Sequence, residues 1–384
     1  MKRSFMPGRR AIRIGRLFGI DIALDLNWFF IFFIMVVSFS GQYQQYFPTH
    51  MGSMVFAIVL TLALFASVVA HEYGHALTAR LFGIHTQKIV LHLFGGVAYL
   101  ESEPKRPRDE FFIAIAGPAV SIVFGLVFGG IALATAPGTG IPETALFKLA
   151  FALAAMNLFL GIFNCVPGFP LDGGRVVRSA LWAITGNYLK ATRVASWGGI
   201  GVGALLSLTG VAAVVAAPFM DMDLLAGGIL RVLLGLFVIH LARMSMKQAE
   251  FISAFHGLTV RDLMQPIRAV VPADMLLSDV RDRYFQWQGA DNFPVVDGTR
   301  LLGSIGQEDF AAIPERQWDW VRAREIVRPY DAEKILDPGL EALTALERLA
   351  RLNRYSLPVF QGRRLLGTVT QGDLARALQQ RRAL

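Results

Sequence analysis

Six stretches of this sequence are apolar for long enough to cross a bilayer, which takes about 20 helical residues. They run roughly over 24–41, 54–81, 111–136, 146–166, 196–217 and 224–241. A chain with six such stretches is predicted to be a polytopic α-helical membrane protein. The cationic residues between them set an orientation, because Lys and Arg are held back on the cytoplasmic side. Counting Lys and Arg from the N-terminal tail onward, the successive connections hold 6, 0, 4, 0, 4 and 0. That alternation predicts both termini in the cytoplasm of a cell-membrane, multi-pass protein. Asp21 and Asp25 interrupt the apolar run behind the basic tail, so a cleaved signal peptide is not expected.

Charge also divides the chain. Residues 1–250 hold 19 Lys/Arg and 12 Asp/Glu, whereas 251–384 hold 18 and 17 in about half the length. The expected division is a membrane domain over 1–250 and a soluble domain over 251–384. The basic excess lies in the membrane part, where the orientation rule accounts for it, so no nucleic-acid partner is expected. Cys165 is the only cysteine, which excludes an internal disulfide framework and a cysteine-based zinc cluster.

The soluble part is a repeat with an offset of 64. Pro294 aligns with Pro358, Leu301-Leu302-Gly303 with Leu365-Leu366-Gly367, Gln307 with Gln371 and Asp309 with Asp373. Each half reads as strand, tight turn, strand and helix start, with a helical stretch before it near 276–288 and 340–353. Two small αβ units over about 258–312 and 322–380 follow. The pattern resembles a tandem pair of CBS domains. That resemblance implies an adenine nucleotide in the cleft between halves, with Thr370 and Asp373 facing phosphate and ribose. In the first half Gly306 stands where Thr370 stands, so at most one good site is implied. A homodimer through the CBS domains is a further implied partner.

The second span ends in His71-Glu72-Tyr73-Gly74-His75. Residues i and i+4 share a helix face, so both imidazoles can reach one zinc while Glu72 reaches a water there. This is the H-E-x-x-H arrangement of metalloproteases. Polar residues inside an apolar span are costly and are functional candidates by default. Arg80 marks the headgroup level, which puts His71 about 14 Å inside at 1.5 Å per residue. Two imidazoles leave a catalytic zinc one protein ligand short. The better candidate for the third follows the fourth span, in Asn164-Cys165-Val166-Pro167-Gly168-Phe169-Pro170-Leu171-Asp172-Gly173-Gly174. The prolines end the helix, and spans two and four run in the same direction, so Asp172 arrives at the same membrane face as the histidines. A plain Asp-Gly turn is the alternative.

Together these two motifs are similar to those of the site-2 protease family of intramembrane metalloproteases, over about residues 10–245. The resemblance implies His71, His75 and Asp172 as ligands of one Zn2+ per chain and Glu72 as the general base and acid. It implies that Asn164 orients substrate or stabilises an oxyanion. It further implies that Phe94-Gly95-Gly96-Val97 belongs to a β segment whose Gly95 and Gly96 bind substrate as an added strand. Gly117-Pro118-Ala119-Val120-Ser121 in span three is read as close helix packing. The expected function is an intramembrane zinc endopeptidase. It would cleave a transmembrane segment of another membrane protein near the cytoplasmic side, with the CBS pair as a control module. The rival reading is a CBS-regulated transporter or channel, which has no use for Glu72. A membrane protease of the prenyl-protein processing type is a further rival; it would draw its third ligand from a downstream Glu, against the Leu171-Asp172-Gly173 motif.

Overall fold

The computed structural model describes residues 11–92, 95–138, 144–218, 223–255, 257–266, 270–285, 292–298, 300–329, 335–352, 354, 356–362 and 364–382. They fall into two compact units, one formed by Gly8–Ala249 and one built on Glu250–Leu384.

The first unit opens with a β-hairpin, β1 (Ile12–Leu17) and β2 (Ile20–Leu24), where the sequence reading had placed only a charged tail. The hairpin forms because apolar and charged residues alternate here. Arg13 and Arg16 lie 3.0 and 3.6 Å from Asp21 across it. Asp25 ends the strand and caps the first long helix, α1 (Leu26–Tyr43), accepting the Asn27 N–H at 3.0 Å. The helix α2 (His50–Leu81) follows, capped by Thr49. Then come β3 (Thr86–His92) and β4 (Gly95–Leu100). The four strands make one sheet in the order β1-β2-β3-β4, with β2 and β3 parallel and the other pairs antiparallel. β4 is therefore an edge strand.

Four more long helices and one short one follow: α3 (Pro107–Ala134), α4 (Ala145–Asn164), α5 (Asp172–Thr185), α6 (Tyr188–Ala216) and α7 (Asp223–Phe255), of which the last six residues count with the second unit. Among the described residues six helices are long and apolar enough to span a membrane, all of them except α5. Burial is correspondingly inverted relative to a soluble protein. Phe33, Leu126, Phe159 and Leu208 are each more than 60% exposed, which suits a lipid-facing surface. Small residues bring the helices together. A Cβ on Gly161 of α4 would lie 2.8 Å from Ile122 Cγ1 of α3, whereas one on Gly130 would meet nothing. Lys148, near the start of α4, is buried with its ammonium 4.3 Å from the centre of the Tyr46 ring, a cation–π contact rather than a snorkelling end.

The second unit holds two small cores. The chain continues with α8 (Val260–Leu263), β5 (Val271–Pro272), α9 (Leu277–Val280), β6 (Asn292–Asp297), β7 (Arg300–Gly306), α10 (Gln307–Phe310) and α11 (Ala323–Ile326). The second half supplies α12 (Ala342–Arg351), β8 (Ser356–Gln361), β9 (Arg364–Thr370) and α13 (Gln371–Arg382). Gly298 and Gly362 turn the two hairpins with φ of 58° and 62°, a conformation that glycine adopts without Cβ strain.

The halves exchange their leading segments. Val260 and Leu263, at the front of the first repeat, pack in the core of the second with Leu336, Leu349, Val359 and Leu374. Ala323, Ile326 and Val327, at the front of the second, join Val271, Val280, Val295 and Ile305 of the first. The crossing strands are pinned by paired backbone bonds, Gln265 with Thr368 and Arg328 with Ser304, all of 2.9–3.0 Å. This explains the glycine repeated in Leu-Leu-Gly. A Cβ at Gly303 would strike the Arg328 carbonyl, and one at Gly367 the Gln265 carbonyl.

Candidate metal centre

Three donor atoms converge where α2, α3 and α5 meet. His71 Nε2, His75 Nε2 and Asp172 Oδ2 are each 3.2 Å from the other two. Among the described residues they form a group able to hold one metal ion. The spacing suits zinc: bonds of about 2.0–2.1 Å at tetrahedral angles separate neighbouring ligand atoms by about 3.3 Å. Both histidines are buried.

The outer nitrogens are spoken for, which leaves the inner ones to face the centre. His75 Nδ1 donates to the Ile113 carbonyl at 2.6 Å, and His71 Nδ1 lies 2.9 Å from Ser121 Oγ. A carbonyl can only accept, so His75 carries a proton on Nδ1, and in the neutral ring its Nε2 then carries the lone pair. Such outer partners fix ring orientation and raise ligand basicity. Both come from α3, as does Gly117 between them. A Cβ at Gly117 would sit 2.6 Å from His71 Nε2 and closer still to His75 Nε2, so α3 leaves open the space in front of both donor atoms.

Asp172 is the first residue of α5. The loop before it is bound to α6 by the Phe169 N–H, which donates to the Ala195 carbonyl at 3.1 Å. Its backbone lies so close to α6 that a Cβ on Gly168 would strike Gly199.

Glu72 lies beside the trio. Its Oε2 accepts the Ala98 N–H of β4 at 3.1 Å, and Gly96 gives it room, since a Cβ there would be 2.5 Å from Glu72 Cγ. Gly95 begins the strand with φ of 124°. Phe94 lies outside the described residues. Asn164 ends α4, and its Nδ2 donates to the Leu160 carbonyl at 3.0 Å. Thus the structure brings His71, His75, Asp172, Glu72 and Gly96 into one place. Thr370 and Asp373 belong to the second unit. There they bond each other: Asp373 accepts the Thr370 amide and hydroxyl at 2.8 and 2.7 Å, and its own N–H donates back at 3.1 Å. This pair closes the start of α13 as a reciprocal cap. At Gly306 only the backbone half of the arrangement remains, the N–H to Asp309 at 2.7 Å. A cavity of about 210 Å3 beside Asp373 is lined by Asp262, Gln265 and Arg376.

Three partners were not legible beforehand. Ile113 and Ala98 act through the backbone, which no residue type advertises. Ser121 is a small residue in a packing motif, and its second role follows only from being four positions beyond Gly117 on the same helix face.

A helical bundle with two imidazoles, a carboxylate and a neighbouring glutamate at one buried point defines a membrane-embedded metallopeptidase. Comparison with known proteins agrees. The profile of peptidase family M50 matches residues 59–148 and 130–208, and that of the CBS domain matches 325–380. The protein sll0528 of Synechocystis sp., a zinc metalloprotease by assignment, is 33% identical over 382 residues, covering 96% of this chain and 95% of its own. The zinc metalloprotease MJ0392 of Methanocaldococcus jannaschii is 29% identical over 374 residues, 96% of each chain. A solved structure of a site-2 protease from M. jannaschii is 32% identical and covers 62% of this chain and 95% of its own, at a TM-score of 0.42. The chain belongs to peptidase family M50, the site-2 proteases, and carries a CBS domain. It is a zinc metalloprotease of the membrane.

If Ser121 orients His71, Ser121→Ala weakens zinc binding by about 10–100-fold. Competition with a chromophoric chelator in detergent measures this, and unchanged affinity would remove Ser121 from the site.

Proposed function

We propose that His71, His75 and Asp172 hold the zinc and that Glu72 is the general base and acid of an intramembrane endopeptidase. The observation that carries this reading is the triangle of donor atoms 3.2 Å apart with the Glu72 carboxylate beside it. Zinc bound there supplies Lewis acidity, polarising a carbonyl and making water easier to deprotonate. Glu72 takes a proton from the attacking water. The water oxygen adds to the scissile carbonyl carbon, the C–N bond breaks, and Glu72 returns the proton to the leaving nitrogen. Asn164 is the proposed amide donor for substrate or oxyanion, through the Nδ2 hydrogen other than the one given to the Leu160 carbonyl.

The substrate is a transmembrane segment of another membrane protein. A substrate helix has its amides bonded internally, so it must unwind before attack. β4 offers the unwound stretch a partner: it is an edge strand, and an extended peptide can add to such an edge. Gly95 and Gly96 lie at its start, with Gly96 against Glu72. The charge alternation supports an orientation with both termini, and the end of the bundle that holds the centre, on the cytoplasmic side.

The domain division we favour is a protease over 1–250 and a CBS pair over 251–384, the latter modulating cleavage through an adenine nucleotide or through homodimer formation. The cavity beside Asp373 is the place we assign to such a ligand, with Arg376, which bonds the Asp373 carboxylate, as the cation at its edge.

Glu72→Gln, reconstituted in liposomes, is expected to keep its zinc and to lose cleavage by about 100-fold or more. Undiminished cleavage would take Glu72 out of the mechanism. For the CBS pair, titration calorimetry of the full-length protein with AMP, ADP and ATP is expected to give heat for at least one, lost in Arg376→Ala. No heat, and cleavage indifferent to all three, would end the regulatory reading.

A further inference from the structure

The third ligand presents a mechanical problem. His71 and His75 share one helix, so their spacing is fixed by helical geometry. Asp172 comes from another element, reached through a long loop, and its carboxylate must still arrive within a few tenths of an ångström. Something must hold α5 at the right height and rotation.

A buried ion pair lies at this junction. Glu110 of α3 is 1% exposed and accepts from Arg178 of α5, whose Nε donates at 2.7 Å and whose Nη2 lies closer still. The Arg178 side chain is itself 12% exposed. Its Nη1 donates to Tyr188 Oη at 2.7 Å, and the Tyr188 hydroxyl donates to Glu103 Oε2 at 3.0 Å. The guanidinium is also stacked, 4.9 Å from the centre of the Phe169 ring and 4.8 Å from that of Tyr188. Arg175 Nε lies 3.9 Å from the same Glu110 oxygen. One arginine thus grips α3 through Glu110, the start of α6 through Tyr188, and through Phe169 the loop that delivers Asp172.

The position of Glu110 on α3 gives this pair its meaning. Glu110, Ile113, Gly117 and Ser121 follow one another at intervals of three, four and four residues, which is a single stripe of a helix. Ile113 orients His75, Gly117 clears the centre and Ser121 orients His71. Glu110 continues the same stripe by one turn and reaches the element that carries the third donor. We propose that the Glu110–Arg178 pair is the positioning clamp for Asp172, so that one face of α3 sets all three metal-binding side chains.

An ion pair is an exacting choice here. A buried charge without its partner is strongly destabilising, so each member holds the other in place, and two guanidinium N–H groups converging on the one Glu110 oxygen fix direction as well as distance. Apolar packing would tolerate sliding of α5, and this pair does not. Both residues are positioning residues, since neither offers an atom to the three-donor centre.

This inference rests on Asp172 being a zinc ligand, and the test separates the two. Full-length protein in detergent is stripped of metal. It is then titrated with zinc against a chelator and, separately, loaded with Co2+, whose d–d absorption weakens when the site departs from four-coordinate tetrahedral geometry. Folding is followed by circular dichroism and gel filtration. Folded Arg178→Gln and Glu110→Gln should each lose at least tenfold in zinc affinity and show a weakened cobalt band, as Asp172→Asn does. The double variant Arg178→Gln/Asp172→Asn should be no worse than Asp172→Asn alone, because the clamp acts only through that carboxylate. Arg178→Lys keeps the charge but not the fork, and should fall between; it carries the comparison if Arg178→Gln does not fold. Wild-type affinity and spectrum in the Arg178 variants, or additive losses in the double variant, would overturn the clamp. Wild-type behaviour of Asp172→Asn would overturn the ligand assignment and the clamp with it.

Discussion

Three donor atoms held 3.2 Å apart in an apolar interior set the terms for everything around them. Polar groups in such surroundings are costly unless each is bonded, and a small spacing error between ligands is costly for a metal. The structure answers with one helix. Ser121 and the Ile113 carbonyl engage the outer imidazole nitrogens, and Gly117 removes the one side chain that would fill the centre. Close helix packing, which small residues permit, is therefore the precondition of the site. The Gly74 inside the His-Glu-x-x-His motif belongs to the same device, since a Cβ there would lie 2.8 Å from the Ala116 carbonyl of α3.

The other side of the centre is built from strand rather than helix. Glu72 faces β4 and is bonded to its Ala98 amide, so the proposed proton carrier sits between the donor trio and the strand edge proposed to receive substrate. The four-stranded sheet is anchored on the helical bundle by buried contacts of Ile20 and Ile89 with Tyr73 and Ala76 of α2. Residues set among the histidine pair thus also fasten the sheet, which ties the edge strand to the helix that carries Glu72.

The parts of this molecule written in one-dimensional periodicity were legible in the sequence. Six long apolar runs, an i, i+4 histidine pair and a repeat offset of 64 are properties of residue order, and the corresponding helices, cluster of donor atoms and paired hairpins stand where those patterns lie. Asp172 could be singled out because helix direction through a membrane has only two values, and its carboxylate does lie beside the two imidazoles. Three things were out of reach for physical reasons. The β1–β2 hairpin is short and rich in arginine, so its charges read as a tail until Asp21 is seen opposite Arg13. Ile113 and Ala98 contribute a carbonyl and an amide that every residue possesses. The exchange of leading segments in the CBS unit leaves the repeat pattern unchanged, because Val260 and Ala323 are apolar whichever core they enter.

The coordination of the metal is the central claim, and zinc K-edge X-ray absorption on the purified full-length protein tests it most directly. Two histidines and one carboxylate as ligands predict a first shell of nitrogen and oxygen at about 2.0–2.1 Å, with the outer-ring scattering of two imidazoles and no sulfur. In Asp172→Asn that shell should change while the imidazole signal persists. A shell with one imidazole or with sulfur, or one left unaltered by Asp172→Asn, would contradict it.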